Sequence, residues 1–299
     1  MSINNLTPFL ALSLGFCLAF NSPVYAQQVK QVEINCPASK CVKNWTDILP
    51  ELISSKVVYL GEIHDSAADH EKQLKIIQEL YKKNPKIAIG LEMFQRPFQS
   101  AVNDYINGTI TEVEFLEKTE YKKRWGFSWD LYAPILRFAG EKKIPVLALN
   151  TPAEITRKVS RQGLQSLTPE DKKLIPPLSE IKTDNQQYRK MVLEAFEQHQ
   201  SQGHGKSSIA DNFFLAQVLW DETMADTIVK YIKAKPDHQV IVLAGIGHII
   251  YGYGIPSRVE RRLKAENFPN FSHRSVLLTP PEISKPQDIA IADFIIDKE

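Results

Sequence analysis

The sequence predicts an α/β fold in which a mostly parallel central sheet is flanked by helices and carries an inserted helical subdomain. Short runs of apolar and β-branched residues are continuous rather than alternating, which is typical of parallel strands covered on both faces. Amphipathic stretches separate these runs, as crossover helices do. The segment 155–235 breaks this rhythm because it holds no strand-like run.

The elements follow one another regularly. A buried strand is predicted at 57–62 and a helix at 67–83, where apolar residues recur at helical spacing until Asn84-Pro85 ends the pattern. The remaining predicted elements, in chain order, are a strand at 87–91, helices at 99–107 and 111–119, strands at 145–149 and 240–244, a helix around 255–265, and strands at 275–279 and 289–296.

Two amphipathic stretches dominate the segment 155–235. Residues 187–199 and 210–233 each carry one apolar stripe, and a Gly- and Ser-containing loop separates them. We therefore predict a helical insertion, or lid, placed before the strand at 240–244.

Composition excludes some classes of protein. With 299 residues, 43% hydrophobic and 24% charged, the chain is globular and long enough for one large α/β domain. The 36 Lys and Arg against 35 Asp and Glu give a net charge of +1, which provides no basic surface for nucleic acid.

The first residues have the pattern of a secretory signal. Residues 1–26 contain no charged side chain, and the apolar run 9–20 is too short to span a bilayer. Ala26 offers a small-residue cleavage site. We predict a signal peptide over 1–26, a mature domain over 27–299 and a periplasmic or otherwise extracytoplasmic location; the alternative is an apolar N-terminal arm.

The three cysteines lie near the N-terminus. Cys17 would be the acylated residue of a lipoprotein, but the bulky Phe16 precedes it where a small residue is expected, so membrane anchoring is the alternative to simple cleavage. Cys36 and Cys41 are close enough in sequence to form a small disulfide loop in an oxidising compartment.

Polar side chains follow the predicted strands at their carboxyl ends. Glu62 and His64 follow the first strand, Glu92 the second, and His248 follows the Gly-Ile-Gly after the strand at 240–244. Because ligands of open parallel sheets bind at this edge, we expect the four side chains to form one cluster. The competing interpretations are a helix cap for Glu62, a hydrogen bond to a neighbouring loop for His64 and a structural role for His248. Glu92 could instead form an ion pair with Arg96 or Arg124.

Three further groups have two interpretations each. The aromatic-rich stretch 125–132 is either a corner of the core or a wall for a large flat ligand. Trp220-Asp221-Glu222 is either functional or ordinary amphipathic patterning. Tyr251 and Tyr253 follow His248 closely, and tyrosine is a known axial ligand of haem iron.

The chain has no P-loop, no HExxH and no GxSxG, so nucleotide-binding, zincin and α/β-hydrolase functions lack their motifs.

Six blocks of the sequence, taken in chain order, resemble one known family. They are VVYLGEIHD, IGLEMFQRP, WGFSWDLYAPILRFA, VLALNTPAE, AQVLWDETMA and VIVLAGIGHIIYGYGIPSRV, and they are similar to the ChaN family of bacterial haem-binding, iron-uptake proteins, from about 57 to 262. That family lies in a group with the Tiki metalloproteases and the erythromycin esterases. The group's early Gly-x-x-His, its Glu on the next strand and its late Gly-x-x-His match His64, Glu92 and His248.

The resemblance implies a parallel-sheet core with a helical lid, export, and haem or iron handling. Haem would lie beneath the lid, and its axial ligand and propionate contacts would come from Tyr251, Tyr253, His64, His248, Arg124 and Arg258. The shared motifs do not include the axial ligand, so the two tyrosines are chosen by position. The partner in this hypothesis is haem or another small molecule, and a homodimer is one of the compatible oligomeric states.

A hydrolase is the alternative to a binding protein. His64, Glu92 and His248 would hold a divalent metal such as zinc or manganese, with Glu62 as general base. In a metal-free version the same Glu and His side chains would perform acid–base chemistry alone. Between these hypotheses we favour haem binding.

Overall fold

The computed structural model describes residues 40–42, 44–199, 207–269, 271–280 and 290–296. The predicted signal peptide, Cys17 and Cys36 lie outside these ranges. Cys41 is disulfide-bonded to a partner that is likewise outside them. Within the described ranges, no helix has both the length and the apolar character needed to cross a bilayer.

One parallel sheet forms the centre of the fold. Its strands, in chain order, are β1 (Lys40–Val42), β2 (Val57–Glu62), β3 (Ile87–Gln95), β4 (Val146–Asn150), β5 (Gln239–Gly245), β6 (His273–Leu277) and β7 (Phe294–Ile296). They are arranged β1-β7-β6-β2-β5-β3-β4, and every pairing is parallel. The predicted fold class is therefore confirmed.

Helices connect and cover these strands. In chain order they are α1 (Leu49–Ile53), α2 (Ala67–Lys83), α3 (Gln99–Asn107), α4 (Glu112–Lys118), α5 (Tyr121–Arg124), α6 (Trp129–Lys142), α7 (Ala153–Gln162), α8 (Pro169–Lys173), α9 (Gln186–His199), α10 (Ser207–Ala234) and α11 (Ile255–Ala265). Local chemistry sets several of their ends. Ser66 caps α2 by accepting a hydrogen bond from the backbone N–H of Asp69, and Thr111 and Glu114 form a capping box at α4.

Alternate residues of each strand face two separate hydrophobic layers. Val58 and Leu60 of β2 pack in the layer that includes α2, α3 and α6. Val57 and Tyr59 pack on the opposite face, against α11 and the C-terminal half of α10. Both faces of the sheet are thus covered, which explains why its central strands are apolar throughout.

The helical insertion has a core of its own. Ile155, Val159, Tyr188 and Phe214 belong to a third cluster built from α7, α9 and the N-terminal half of α10. The same long α10 continues into the main core through Met224 and Ile228. One helix therefore links the insertion rigidly to the sheet.

Some bounds differ from the predicted ones. β3 continues to Gln95, four residues past the apolar run, because its carboxyl end pairs with β4 across a register shift. The strand expected at 275–279 occupies His273–Leu277, and of the strand expected at 289–296 only Phe294–Ile296 is extended in the described residues. Sequence reasoning missed the three-residue β1 and the helix α6.

Candidate functional site

The carboxyl ends of β2, β3 and β5 meet at one place on the sheet edge. β5 lies between the other two strands, and Glu62 at the end of β2 is in register with Gly245 at the end of β5. The backbone N–H of Gly245 donates to Oε2 of Glu92, at 2.8 Å. The sheet order thus brings together side chains from positions far apart in the chain.

The carboxylate of Glu62 fixes the imidazole of His64 through its Nδ1. The Nδ1–H of His64 donates to Oε1 of Glu62 at 2.9 Å. The same carboxylate accepts from the Tyr132 hydroxyl at 2.7 Å and from the Gln73 amide at 2.6 Å. Burial by itself would raise the pKa of Glu62, but the hydrogen bond and charge of His64, with His70 and Gln73, lower it.

The general-base role of Glu62 stays a prediction, and the structure shows what surrounds its carboxylate. Its side chain is buried, and both oxygens are occupied by donors of the protein itself. A carboxylate in this position fixes the tautomer and the direction of the imidazole. His70 supports the same arrangement, because its Nε2 lies 3.0 Å from the carbonyl oxygen of His64 and its Nδ1 lies 3.0 Å from the Gln73 amide oxygen.

Asp221 holds His248 in the same way. Oδ1 of Asp221 lies 2.6 Å from Nδ1 of His248, and Oε1 of Glu92 lies 3.3 Å from its Nε2. Burial alone would lower the pKa of His248, but Glu92 and Asp221 outweigh it and raise the pKa to about 10. Burial alone would raise the pKa of Glu92, but His248, His64 and the Gly245 amide lower it to about 2.

The cluster consists of two imidazoles, each held by its own carboxylate, with Glu92 between them. A Cβ added at Gly245 would lie only 2.7 Å from Nε2 of His64 and 3.7 Å from Oε2 of Glu92. Glycine at 245 is therefore what allows His64 to approach the strand end this closely. Two imidazoles beside a buried carboxylate form an arrangement that can transfer protons.

The aromatic stretch 125–132 lies partly beside His64 and partly in the core. The ring of His64 lies 4.8 Å from that of Trp125 and 5.1 Å from that of Phe127, and both aromatic side chains are half-buried. Tyr132, by contrast, is fully buried and bonded to Glu62. The stretch is a wall of the site at its beginning and part of the core at its end.

Tyr251 and Tyr253 lie beyond His248, on the turn that leads into α11. Their rings are 5.3 Å apart and tilted by 31°. Tyr253 also contacts the ring of Tyr188, at 6.3 Å. Tyr251 has a φ of 56°, in the left-handed region that non-glycine residues rarely adopt, and its N–H donates to the carbonyl of Ile291 at 2.7 Å.

The two arginines predicted to bind propionates are already paired. Arg258 is 4% exposed; its guanidinium donates to the carbonyls of Tyr253 and Gly254 and lies 3.4 Å from Glu222. Arg258 is thus engaged within the protein, and its contact with a haem propionate stays a prediction. Arg124 is bonded to Gln95 and ion-paired with Glu120 and Glu154.

The predicted alternative partners of Glu92 are likewise engaged elsewhere. Arg96 pairs with Asp226, at 2.6 Å, and Arg124 with the residues just named. Glu92 is bonded instead to His248 and the Gly245 amide.

The structure describes the surroundings of the predicted metal ligands. In the part of the chain that the structure describes, no three His, Cys, Asp or Glu side chains are arranged to hold a metal ion. Nδ1 of each imidazole is bonded to a carboxylate, which is also how metal-binding histidines are usually held, and Nε2 of His248 lies 3.3 Å from Oε1 of Glu92. Metal binding by His64, Glu92 and His248 therefore stays a prediction.

Comparison with known proteins places this site in a family. The family described as haem-binding uptake proteins of the Tiki superfamily, ChaN, matches residues 48–259. The chain belongs to the ChaN family. The predicted family is thus confirmed, and the residues that match its two Gly-x-x-His motifs and its Glu are the ones that meet at the sheet edge.

Individual relatives of this ChaN-family protein are distant. The chloroplastic protein RETICULATA-RELATED 5 of Arabidopsis thaliana is 26% identical over 82% of this chain, which spans only 34% of that protein. The ChaN structure of Campylobacter jejuni, which shows cofacial haem binding, has a TM-score of 0.65 at 21% identity and covers 84% of this chain and 91% of its own. An erythromycin esterase in its open conformation has a TM-score of 0.45 at 15% identity, covering 83% and 77% of the two chains. The ChaN structure shows the shared fold.

Proposed function

We propose that this protein binds haem and takes part in the uptake or handling of haem iron. The observation that carries the proposal is the family match over residues 48–259, which includes the sheet edge, the helical insertion and the turn after His248.

The tyrosine pair fits an axial-ligand role better than His248 does. Both ring nitrogens of His248 face carboxylates. Tyr251 and Tyr253 are half-buried side chains on a turn with left-handed backbone at Tyr251, and such backbone strain clusters at functional positions. Bound haem would supply ferric iron, for which a tyrosine oxygen is a known ligand.

Haemin titration of the mature chain tests this proposal. We expect a saturable shift of the Soret band, and at least a tenfold weaker affinity in Tyr251→Phe or Tyr253→Phe. Tyr231→Phe is the matched control, because Tyr231 is also half-buried but bonds to His238 on another part of the surface. Absence of a saturable shift in the unmodified chain would refute haem binding.

Export to an extracytoplasmic compartment is part of the proposal. It is supported by the uncharged, apolar N-terminus and by the disulfide at Cys41, since disulfides persist in oxidising compartments. Fractionation and N-terminal sequencing test it, with Gln27 expected as the first residue. Acylation of Cys17 would instead give a membrane-bound form that Cys17→Ala releases.

Metal-free hydrolysis is a second candidate function. The observation that favours it is the pair of carboxylate-bound imidazoles on either side of Glu92. We expect hydrolysis of 4-nitrophenyl esters that persists in EDTA and falls at least a hundredfold in His64→Ala and in His248→Ala. Tyr231→Phe is the control variant, and activity that EDTA abolishes would contradict a metal-free mechanism.

A further inference from the structure

We propose that Asp221 and Tyr188 are positioning residues for His248, and that helix α9 of the insertion is thereby part of the functional site. The inference rests on the proposal that the His–Glu cluster is functional. It gives a role to Asp221, which lies in one of the family-like blocks, and it adds Tyr188, which lies in none of them.

Asp221 is the direct partner of His248. It is fully buried, and its two oxygens have separate donors. Oδ1 lies 2.6 Å from Nδ1 of His248, while Oδ2 accepts a hydrogen bond from the Tyr188 hydroxyl. A buried carboxylate bonded on both sides is held in place and can in turn fix what it binds.

Tyr188 is itself fixed by its surroundings. It is fully buried, its backbone N–H donates to the Asn185 side chain at 2.8 Å, and its ring lies 5.8 Å from that of Phe214. The guanidinium of Arg258 stands 5.1 Å from the ring centroid. The hydroxyl therefore reaches Asp221 only while α9 is docked on α10 and α11.

The hydrogen bonds that join Tyr188, Asp221 and His248 determine where the other ring nitrogen of His248 points. Because Nδ1–H donates to Asp221, Nε2 is turned toward Glu92, 3.3 Å away. The Gln217 amide nitrogen lies 3.2 Å from the same Nδ1, but it is a donor and cannot accept the Nδ1 proton. The Asp221 carboxylate is therefore the acceptor, and a hydrogen bond to a charged acceptor is a strong one. Tyr188, by holding Asp221, acts on the site through His248.

The ring N–H proton of His248 gives a direct test. In the full mature chain, proton NMR should show a downfield, exchange-protected Nδ1–H resonance, assigned by its loss in His248→Gln. We expect it to shift upfield in Tyr188→Phe, which keeps the buried ring and removes only the hydroxyl. Tyr231→Phe removes the hydrogen bond between Tyr231 and His238, of 2.9 Å, and should leave the resonance unchanged.

Asp221→Asn should abolish the resonance, and Asp221→Glu should restore it in part. Where Asp221→Asn does not fold, Tyr188→Phe alone decides. An unshifted resonance in Tyr188→Phe would overturn the proposal. The measurement needs neither haem nor a substrate, so its outcome is separate from that of the haemin titration or the ester assay. If esters are hydrolysed, Tyr188→Phe should lower kcat by about tenfold at unchanged KM, as expected when geometry rather than binding is lost.

Discussion

Oε1 of Glu92 lies 3.3 Å from Nε2 of His248, and both side chains are more than nine-tenths buried. The carboxylate comes from β3, and the imidazole from the turn that follows the neighbouring strand β5. Two opposite charges removed from water depend strongly on each other, since removal of one leaves the other uncompensated. This dependence makes the stability of the fold sensitive to pH.

Stability should be greatest in mildly acidic solution. The pKa of His248 is raised from 6.5 to about 10, so its contribution is complete below pH 6.5 and is lost as the pH rises through about 10. The pKa of Glu92 is lowered from 4.5 to about 2, so its contribution is complete above pH 4.5 and is lost as the pH falls through about 2. Thermal unfolding followed by circular dichroism should therefore give a midpoint that is highest between these limits and declines on either side.

Glu92→Gln separates this pair from other titrating groups. The variant should unfold about 5 °C lower at pH 6, because His248 loses one of its two buried carboxylate partners, and a hydrogen bond to a charged group contributes roughly 1.5–3 kcal/mol. The difference between its profile and that of the unmodified chain should shrink above pH 6.5. A difference that stays constant up to pH 10 would contradict the ion pair.

Gly245→Ala should destabilise the site by steric contact alone. The added Cβ would lie 2.7 Å from Nε2 and 3.0 Å from Cε1 of His64, so the imidazole must move. We expect a loss of about 1–3 kcal/mol in urea unfolding. Gly140→Ala, inside α6, is the control: its Cβ would meet nothing closer than 4.0 Å, so it should be neutral or stabilising by about 0.5–1 kcal/mol.

Tyr132→Phe should cost about 1.5–3 kcal/mol in urea unfolding, because it removes a donor from the buried, ionised Glu62. Tyr105→Phe is the matched change, since Tyr105 donates to Glu112 at 2.9 Å but that carboxylate is partly exposed and keeps Arg137. Its cost should be below about 1 kcal/mol. Equal effects of the two variants would argue against Glu62 as an anchor of the site.

Glu222→Gln should weaken the attachment of the insertion. Glu222 is fully buried, and it pairs with three arginines of α11: Arg258, Arg261 and Arg262. It also accepts the backbone N–H of Lys182, at 3.1 Å. We expect a loss of about 3–5 kcal/mol and faster proteolysis between α8 and α9. Glu266→Gln breaks the exposed pair with Lys233 and should cost below about 1 kcal/mol.

The predictable part of the site comes from its strands. Continuous apolar runs locate β2, β3 and β5, and the carboxyl ends of parallel strands share one edge, so Glu62, His64, Glu92 and His248 were all predictable there. Their roles were not predictable. The role of Glu62, for example, depends on Tyr132, which lies on α6, a helix that the sequence did not predict.

The helical contributions could not be predicted for a physical reason. Asp221 and Glu222 are adjacent on α10 and both fully buried, yet one binds His248 and the other binds arginines of α11. Which neighbour a helical side chain meets is decided by packing between elements distant in sequence. His70 shows the same point: its place on the apolar face of α2 indicates burial, but not the carbonyl of His64 that it meets.

The strand order has a consequence for how this protein is made. β2 lies early in the chain, but its two neighbours in the sheet are β5 and β6, which begin at Gln239 and His273. A nascent chain that ends before residue 239 offers β2 neither partner, so the long loop between β2 and β5 must close before β2 is paired, whereas β3 and β4 can pair earlier. The strand carrying Glu62 therefore waits for residues 239–245, and a chain truncated before them would not contain an assembled His–Glu cluster.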